Sequence, residues 1–199
     1  AMTEPGPTCS IPNLLTGLQE IGVKNRDVDY IMVSHIHIDH GGGAGTLMQH
    51  LPNAELVVHP RGAPHIIHPE KLWEQSQQVL GEVATAYGKI EPVPENRVIT
   101  PSDNTLFDLG NSVQVKVQET LGHASHHLAY FDLDSRGIFQ GDAAGIYFPK
   151  LDVTIPTAPA PFHFEMTLTS LQKLANLEPK WLYYTHYGPV DHAVDRIQR

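Results

Sequence analysis

Two hydrophobic periods alternate along the chain, and the switches between them mark out its elements. Leu14, Leu15, Leu18 and Ile21 recur at helical spacing behind Ser10, a suitable N-cap, and Gly22 supplies the stop. The run Tyr30-Ile31-Met32-Val33 is short and continuously apolar, which predicts a strand buried on both faces. A short helix near Thr46–His50 and a second buried strand at Glu55–His59 follow. Strand, helix, strand at this spacing reads as an α/β fold. Residues 60–96 differ: Pro60, Pro64 and Pro69 interrupt the start, Leu72–Tyr87 has helical spacing, and Pro92 and Pro94 close it. This segment reads as a cap or lid over an active site. Thr105–Glu119 predicts a hairpin turning at Asp108–Asn111, with Val113, Val115 and Val117 alternating on a buried face. Strands are expected at Leu128–Leu133 and Ile138–Gln140, then a Pro-rich loop from Pro149 to Pro161, a helix at Phe164–Ala175 and a last strand at Trp181–Tyr184. No repeat and no linker appears, so residues 1–199 read as one domain.

Composition narrows the function classes. The chain has 199 residues, 41% hydrophobic and 18% charged, with 16 Gly and 16 Pro, as in a turn-rich globular domain. No apolar run approaches the roughly 20 residues that span a bilayer and no segment has the layout of a signal peptide, so no membrane role and a cytoplasmic location are expected. The formal net charge of −9, with scattered cations, argues against nucleic acid as a partner. Cys9 stands alone, so internal disulfides, thiolate zinc cages and CxxC pairs are excluded, and its own reading is a small buried hydrophobe. The 13 histidines equal Lys and Arg together, which puts metal or proton chemistry first.

The densest histidine cluster is Ser34-His35-Ile36-His37-Ile38-Asp39-His40, at the C-terminal end of a predicted strand. Four ligand-type side chains on a loop leaving a rigid strand can point to opposite sides of one cavity and hold two ions. With 13 His in 199 residues, about 0.003 chance matches to HxHxDH are expected. Gly41-Gly42-Gly43 follows, and glycine lets backbone pass close to a crowded site. Three later strand ends repeat the pattern: His123, His126 and His127; Asp142; and His186. Each of these alone reads more readily as a surface or capping group than as a ligand. Imidazole and carboxylate without thiolate suit zinc, iron or manganese.

Together, His35-x-His37-x-Asp39-His40 with its glycines, Gly122-His123, Gly141-Asp142 and Thr185-His186-x-Gly188 resemble the motifs of the metallo-β-lactamase-fold superfamily, and within it the glyoxalase II-like hydrolases. The resemblance runs from about Glu4 to the end. It implies a four-layer αβ/βα sandwich and two divalent metal ions, zinc foremost, with iron or manganese as the alternatives. It further implies that His35, His37 and His123 hold one ion, that Asp39, His40 and His186 hold the other, and that Asp142 bridges them. Asp39 and Asp142 then carry the catalytic roles. The chain departs from the family in having His126 where glycine is usual and in lacking the strands that usually precede the Glu4–Pro7 turn. Ala1-Met2 reads as a cloning remnant, the copy as a trimmed or short form, and a homo-oligomer is expected to cover the exposed sheet edge. His127 reads as a structural group. His59, His65, His68 and His163 read as exposed loop histidines.

The resulting expectation is a hydrolase that uses a metal-bridging hydroxide on a small ester, thioester or lactone. Tyr147 and His126 are the substrate-facing candidates; the alternative for the tyrosine is core packing with a satisfied hydroxyl, and for the histidine an outward orientation. Two other enzyme classes on this fold compete, a mononuclear iron enzyme of the persulfide dioxygenase type and a phosphodiesterase.

Overall fold

The computed structural model describes residues 1–198 of a mixed α/β chain. It divides into two units, Ala1–Thr100 and the remainder from Pro101. In the first unit the elements run β1 (Met2–Thr3), α1 (Ile11–Glu20), β2 (Tyr30–Met32), α2 (Ala44–Met48), β3 (Glu55–Val57), α3 (Ala63–Ile67), α4 (Glu70–Leu80), α5 (Glu82–Tyr87) and β4 (Val98–Ile99). The strands form one parallel sheet in the order β1-β2-β3-β4, with Ile31 opposite Leu56 and Leu56 opposite Val98.

Ile31, Val33, Leu56 and Val58 are buried in this unit's core, as expected of strands covered on both faces. Ile66, Ala84, Ile90 and Val93, from the 60–96 segment, belong to the same core, and Leu72, Trp73 and Tyr87 pack against it. The expected single helix over Leu72–Tyr87 is broken at Gly81, whose φ of +57° ends α4 and starts α5. Ile21 falls outside the buried stripe of α1 and is exposed. The helix stops one residue earlier in a Schellman turn: the Val23 N–H donates to Leu18 O and the Gly22 N–H to Gln19 O. Ser10 sits at the N-cap position, yet its hydroxyl donates backwards to Pro7 O rather than capping the helix. Met2, read as part of a remnant, is in register with Ile31, packs half-buried against this core and forms β1 together with Thr3.

The second unit contains β5 (Leu106–Asp108), β6 (Gln114–Glu119), β7 (Leu128–Asp132), β8 (Gly137–Phe139), β9 (Ile146–Phe148), β10 (Val153–Ile155), α6 (Phe164–Ala175), β11 (Trp181–Tyr184), β12 (Gly188–Asp191) and α7 (Ala193–Gln198). Its main sheet runs β12-β11-β8-β7-β6-β5, antiparallel except where β11 meets β8. The expected hairpin, helix and last strand are present. Four additions correct the sequence reading, the first of them β9 itself at Ile146–Phe148. Val153–Ile155 inside the Pro-rich loop pairs with β9, Gly188–Asp191 adds an edge strand that tolerates Pro189, and α7 follows it. Leu174, Leu182, Ile138 and Tyr184 are among the residues of this unit's core. Among the described residues no helix is long and apolar enough to cross a membrane.

Candidate metal centre

In the first unit, the chain leaves β2 through Val33 and Ser34 into the His35–His40 loop. The loop closes as a turn, with the His40 and Gly41 N–H groups donating to His37 O. Gly42 is required there, because a Cβ would stand 2.3 Å from Ile38 O. The N-terminal turn is pinned onto the loop by the Gly6 N–H donating to His40 O and the Gly43 N–H to Gly6 O. That places Glu4, at φ +55°, where one carboxylate oxygen accepts the Ser34 N–H at 2.6 Å and the other takes His40 Nδ1 at 2.5 Å. With Nδ1 engaged, His40 turns Nε2 towards Asp39 Oδ2, 3.7 Å away. His35 is anchored likewise: Nδ1 meets Ser34 Oγ at 2.9 Å, and Nε2 stands 2.9 Å from His37 Nδ1. His35 and His40 are fully buried. Burial and the neighbouring Asp39 charge push the Tyr87 hydroxyl above its ordinary pKa.

In the second unit, the loop after β8 carries Asp142. The buried Gln140 holds it closed, its amide donating to Gly145 O at 3.1 Å and its oxygen accepting the Ala144 N–H at 2.6 Å. The Asp142 N–H donates to His127 Nε2 at 3.2 Å, so His127 carries its proton on Nδ1 and gives it to Thr120 Oγ1 at 2.7 Å. His127 is fully buried, the structural group expected of it. His123 donates from Nδ1 to Thr157 O at 3.3 Å, and its Nε2 faces Asp142 Oδ2 at 3.7 Å. His186 Nε2 faces the other oxygen, Asp142 Oδ1, also at 3.7 Å.

These spacings fit metal donors. Bonds from zinc to nitrogen or oxygen run about 2.0–2.2 Å, so two donors on one ion stand roughly 3–4 Å apart. A 3.7 Å separation is beyond hydrogen-bond reach but within that range. The donor set of imidazole and carboxylate suits zinc, iron or manganese. Thus His35, His37, Asp39 and His40 converge within the first unit, and His123, Asp142 and His186 within the second.

Other sequence expectations fare differently. Tyr147 lies in the core, stacked on Tyr184, with its hydroxyl donating to Asp152 Oδ1 at 2.9 Å, so core packing with a satisfied hydroxyl describes it. That bond and burial hold the hydroxyl protonated above its usual pKa. His126 is half-buried at the turn into β7. His59 is 3% exposed, contrary to a loop surface position, because the chain folds back and the Arg61 N–H donates to its Nδ1. His65, His68 and His163 are exposed as expected, although His65 sits on α3 rather than in a loop. Cys9 is exposed rather than buried, since the turn ahead of α1 faces solvent there. Sequence reasoning missed Glu4, Thr120, Gln140 and Thr157. A carboxylate beside the Pro5-Gly6-Pro7 turn was the one signal available.

The model of the metallo-beta-lactamase superfamily matches residues 1–186. A metallo-beta-lactamase fold-containing protein of Sulfurisphaera tokodaii is 33% identical over 192 residues, covering 90% of this chain and 71% of that protein. The crystal structure of an archaeal superfamily protein from Sulfolobus tokodaii matches with a TM-score of 0.76 and 32% identity, over 85% of this chain and 65% of that one. A metallo-beta-lactamase family protein from Thermus thermophilus shares the fold at a TM-score of 0.75 and 21% identity, over 99% of this chain and 67% of its own. A further structure, solved in a di-iron-bound form, aligns at a TM-score of 0.69 and 22% identity, over 98% of this chain and 84% of that one. The chain spans about two thirds of the archaeal structure it matches, and motifs, fold and family model agree: it belongs to the metallo-beta-lactamase superfamily.

Proposed function

We propose that this chain is a metal-dependent hydrolase of small esters, thioesters or lactones, and that its two ligand clusters serve a single centre of two divalent ions. In this reading His35, His37 and His123 hold one ion, Asp39, His40 and His186 hold the other, and Asp142 is shared. The observation that carries it is the Asp142 carboxylate, whose two oxygens each face a different imidazole nitrogen at 3.7 Å. A carboxylate serving one ion, or a surface ion pair, has no need of this two-sided arrangement. Membership of a superfamily that is largely one of metal-dependent hydrolases supports the reaction class.

Bound there, the ions would lower the pKa of a shared water towards 7 and polarise the attacked oxygen. The remaining work belongs to the protein. Glu4 and Ser34 fix the orientation of His40 and His35, while Thr157 O and His127 fix His123 and the Asp142 main chain. In this reading Asp39 and Asp142 would supply negative charge that offsets the cations and would take up a proton released during attack. The net charge of −9 favours a small neutral substrate over a polyanion. Zinc-loaded protein is expected to turn over members of an ester, thioester and lactone panel, and Asp142→Ala is expected to lose this activity. No turnover above that variant would refute the reading.

A further inference from the structure

Beside His186 lies a group of aromatic and aliphatic side chains that the ligand set does not use. In the β9–β10 hairpin Phe148 stands opposite Val153 and Ile146 opposite Ile155, so these four apolar side chains share one face. Val153 is 45% and Ile155 50% exposed. Tyr147, between them on β9, points the other way into the core. Tyr187 joins this outer face: its ring centroid is 5.1 Å from that of Phe148, at 35°.

Tyr187 is also held at φ +74°, a conformation costly for a bulky residue and common at functional sites. Burial does not offset the cost, because the side chain is 65% exposed. The next residue, Gly188, is at φ +101°, so the turn passes through two successive positive-φ residues, of which only the second is a glycine. The turn therefore presents a large ring to solvent one residue from His186, whose Nε2 faces Asp142.

We infer that Tyr187 and Phe148 form a specificity-determining wall that receives the apolar acyl portion of the substrate, selecting aryl or medium-length alkyl acyl groups over acetyl. This rests on the hydrolase reading above and names its substrate class. Flat aromatic faces favour apolar and π-bearing groups and have little to offer a methyl.

The test is calorimetric titration of the metal-loaded protein with acetate, hexanoate and phenylacetate, the carboxylates such substrates release. Wild type is expected to bind hexanoate and phenylacetate about tenfold or more tightly than acetate. Tyr187→Ala should lose most of that preference while keeping acetate affinity and metal content, and Tyr187→Phe should retain it. Tyr187→Gly should lose the preference and yet unfold at a higher temperature, because it relieves the backbone strain. Absence of any preference or binding in wild type, or a Tyr187→Ala loss as large for acetate as for phenylacetate, overturns the inference. If the carboxylates are discriminated but no ester, thioester or lactone is turned over, the hydrolase reading fails and the wall stands.

Discussion

Glu4 Oε2 lies 2.5 Å from His40 Nδ1, and the same carboxylate accepts the Ser34 N–H through Oε1. One residue of the N-terminal turn thereby fixes both the ring orientation and the tautomer of a ligand-type histidine 36 positions away in sequence. A carboxylate behind an imidazole also raises its basicity towards a metal.

Removing that carboxylate should therefore cost metal affinity rather than fold. Glu4→Ala is expected to weaken binding by about 10–100-fold, with Glu4→Gln falling between it and wild type. Equilibrium dialysis against a zinc buffer series measures this directly, and unchanged affinity in Glu4→Ala would show that the contact is incidental.

His127 does a comparable job for the Asp142 main chain. His127→Phe removes the acceptor of the Asp142 N–H and the partner of Thr120 Oγ1 in a fully buried position. Leaving buried polar groups unmade costs about 1–3 kcal/mol. Urea unfolding of the metal-free protein is the check, with a lower midpoint at unchanged slope as the expected outcome.

Crowding at Gly42 supplies a third test. The Cβ of Gly42→Ala would meet backbone at Ile38 O rather than a flexible side chain, so the HxHxDH loop must shift. Overpacking of this kind costs about 1–3 kcal/mol. Gly17→Ala, where a Cβ meets nothing within 4 Å, is the matched control and should be neutral or slightly stabilising.

What the sequence made legible follows from the range of the interactions concerned. His35, His37, Asp39 and His40 were readable because four ligand types within six positions are a local pattern, and the strand before them is a local apolar run. Glu4 and Gln140 were not, because their roles exist only once the Gly6–His40 and Gln140–Gly145 contacts have formed. Strands β1, β4 and β10 are two or three residues long, too short to display a period. The break at Gly81 was hidden by a helical spacing that continues across it, and the exposure of Cys9 depends on which way a turn faces. Tyr147 shows the opposite error. Its closeness to Asp142 in sequence invited a functional role, and the alternation of β9 turned it to the core.

Acid should weaken the second unit through Asp103. Burial works to raise its pKa, but Lys173 Nζ at 2.5 Å and the Glu119 N–H at 2.8 Å favour the charged form and hold the carboxyl below its ordinary value. A depressed folded-state pKa gives stability that is fully present above about pH 3.9 and is lost as pH falls through the lower folded value. Lys173→Met should flatten this part of the pH profile of unfolding free energy. The pair is partly exposed, so the difference at neutral pH should be only about 0.2–1 kcal/mol. Parallel profiles for the two proteins at acid pH would show that the pair carries none of the dependence.

Seven side chains from two clusters are proposed to hold two ions through one shared carboxylate. Metal content by mass spectrometry, on protein purified without added metal and after zinc loading, tests it most directly. Two divalent ions per chain are expected on loading, and no more than one in Asp142→Ala. A single ion per loaded chain, or an unchanged two in Asp142→Ala, would contradict it; one iron per chain with sulfide-dependent oxygen uptake would instead identify an oxygenase.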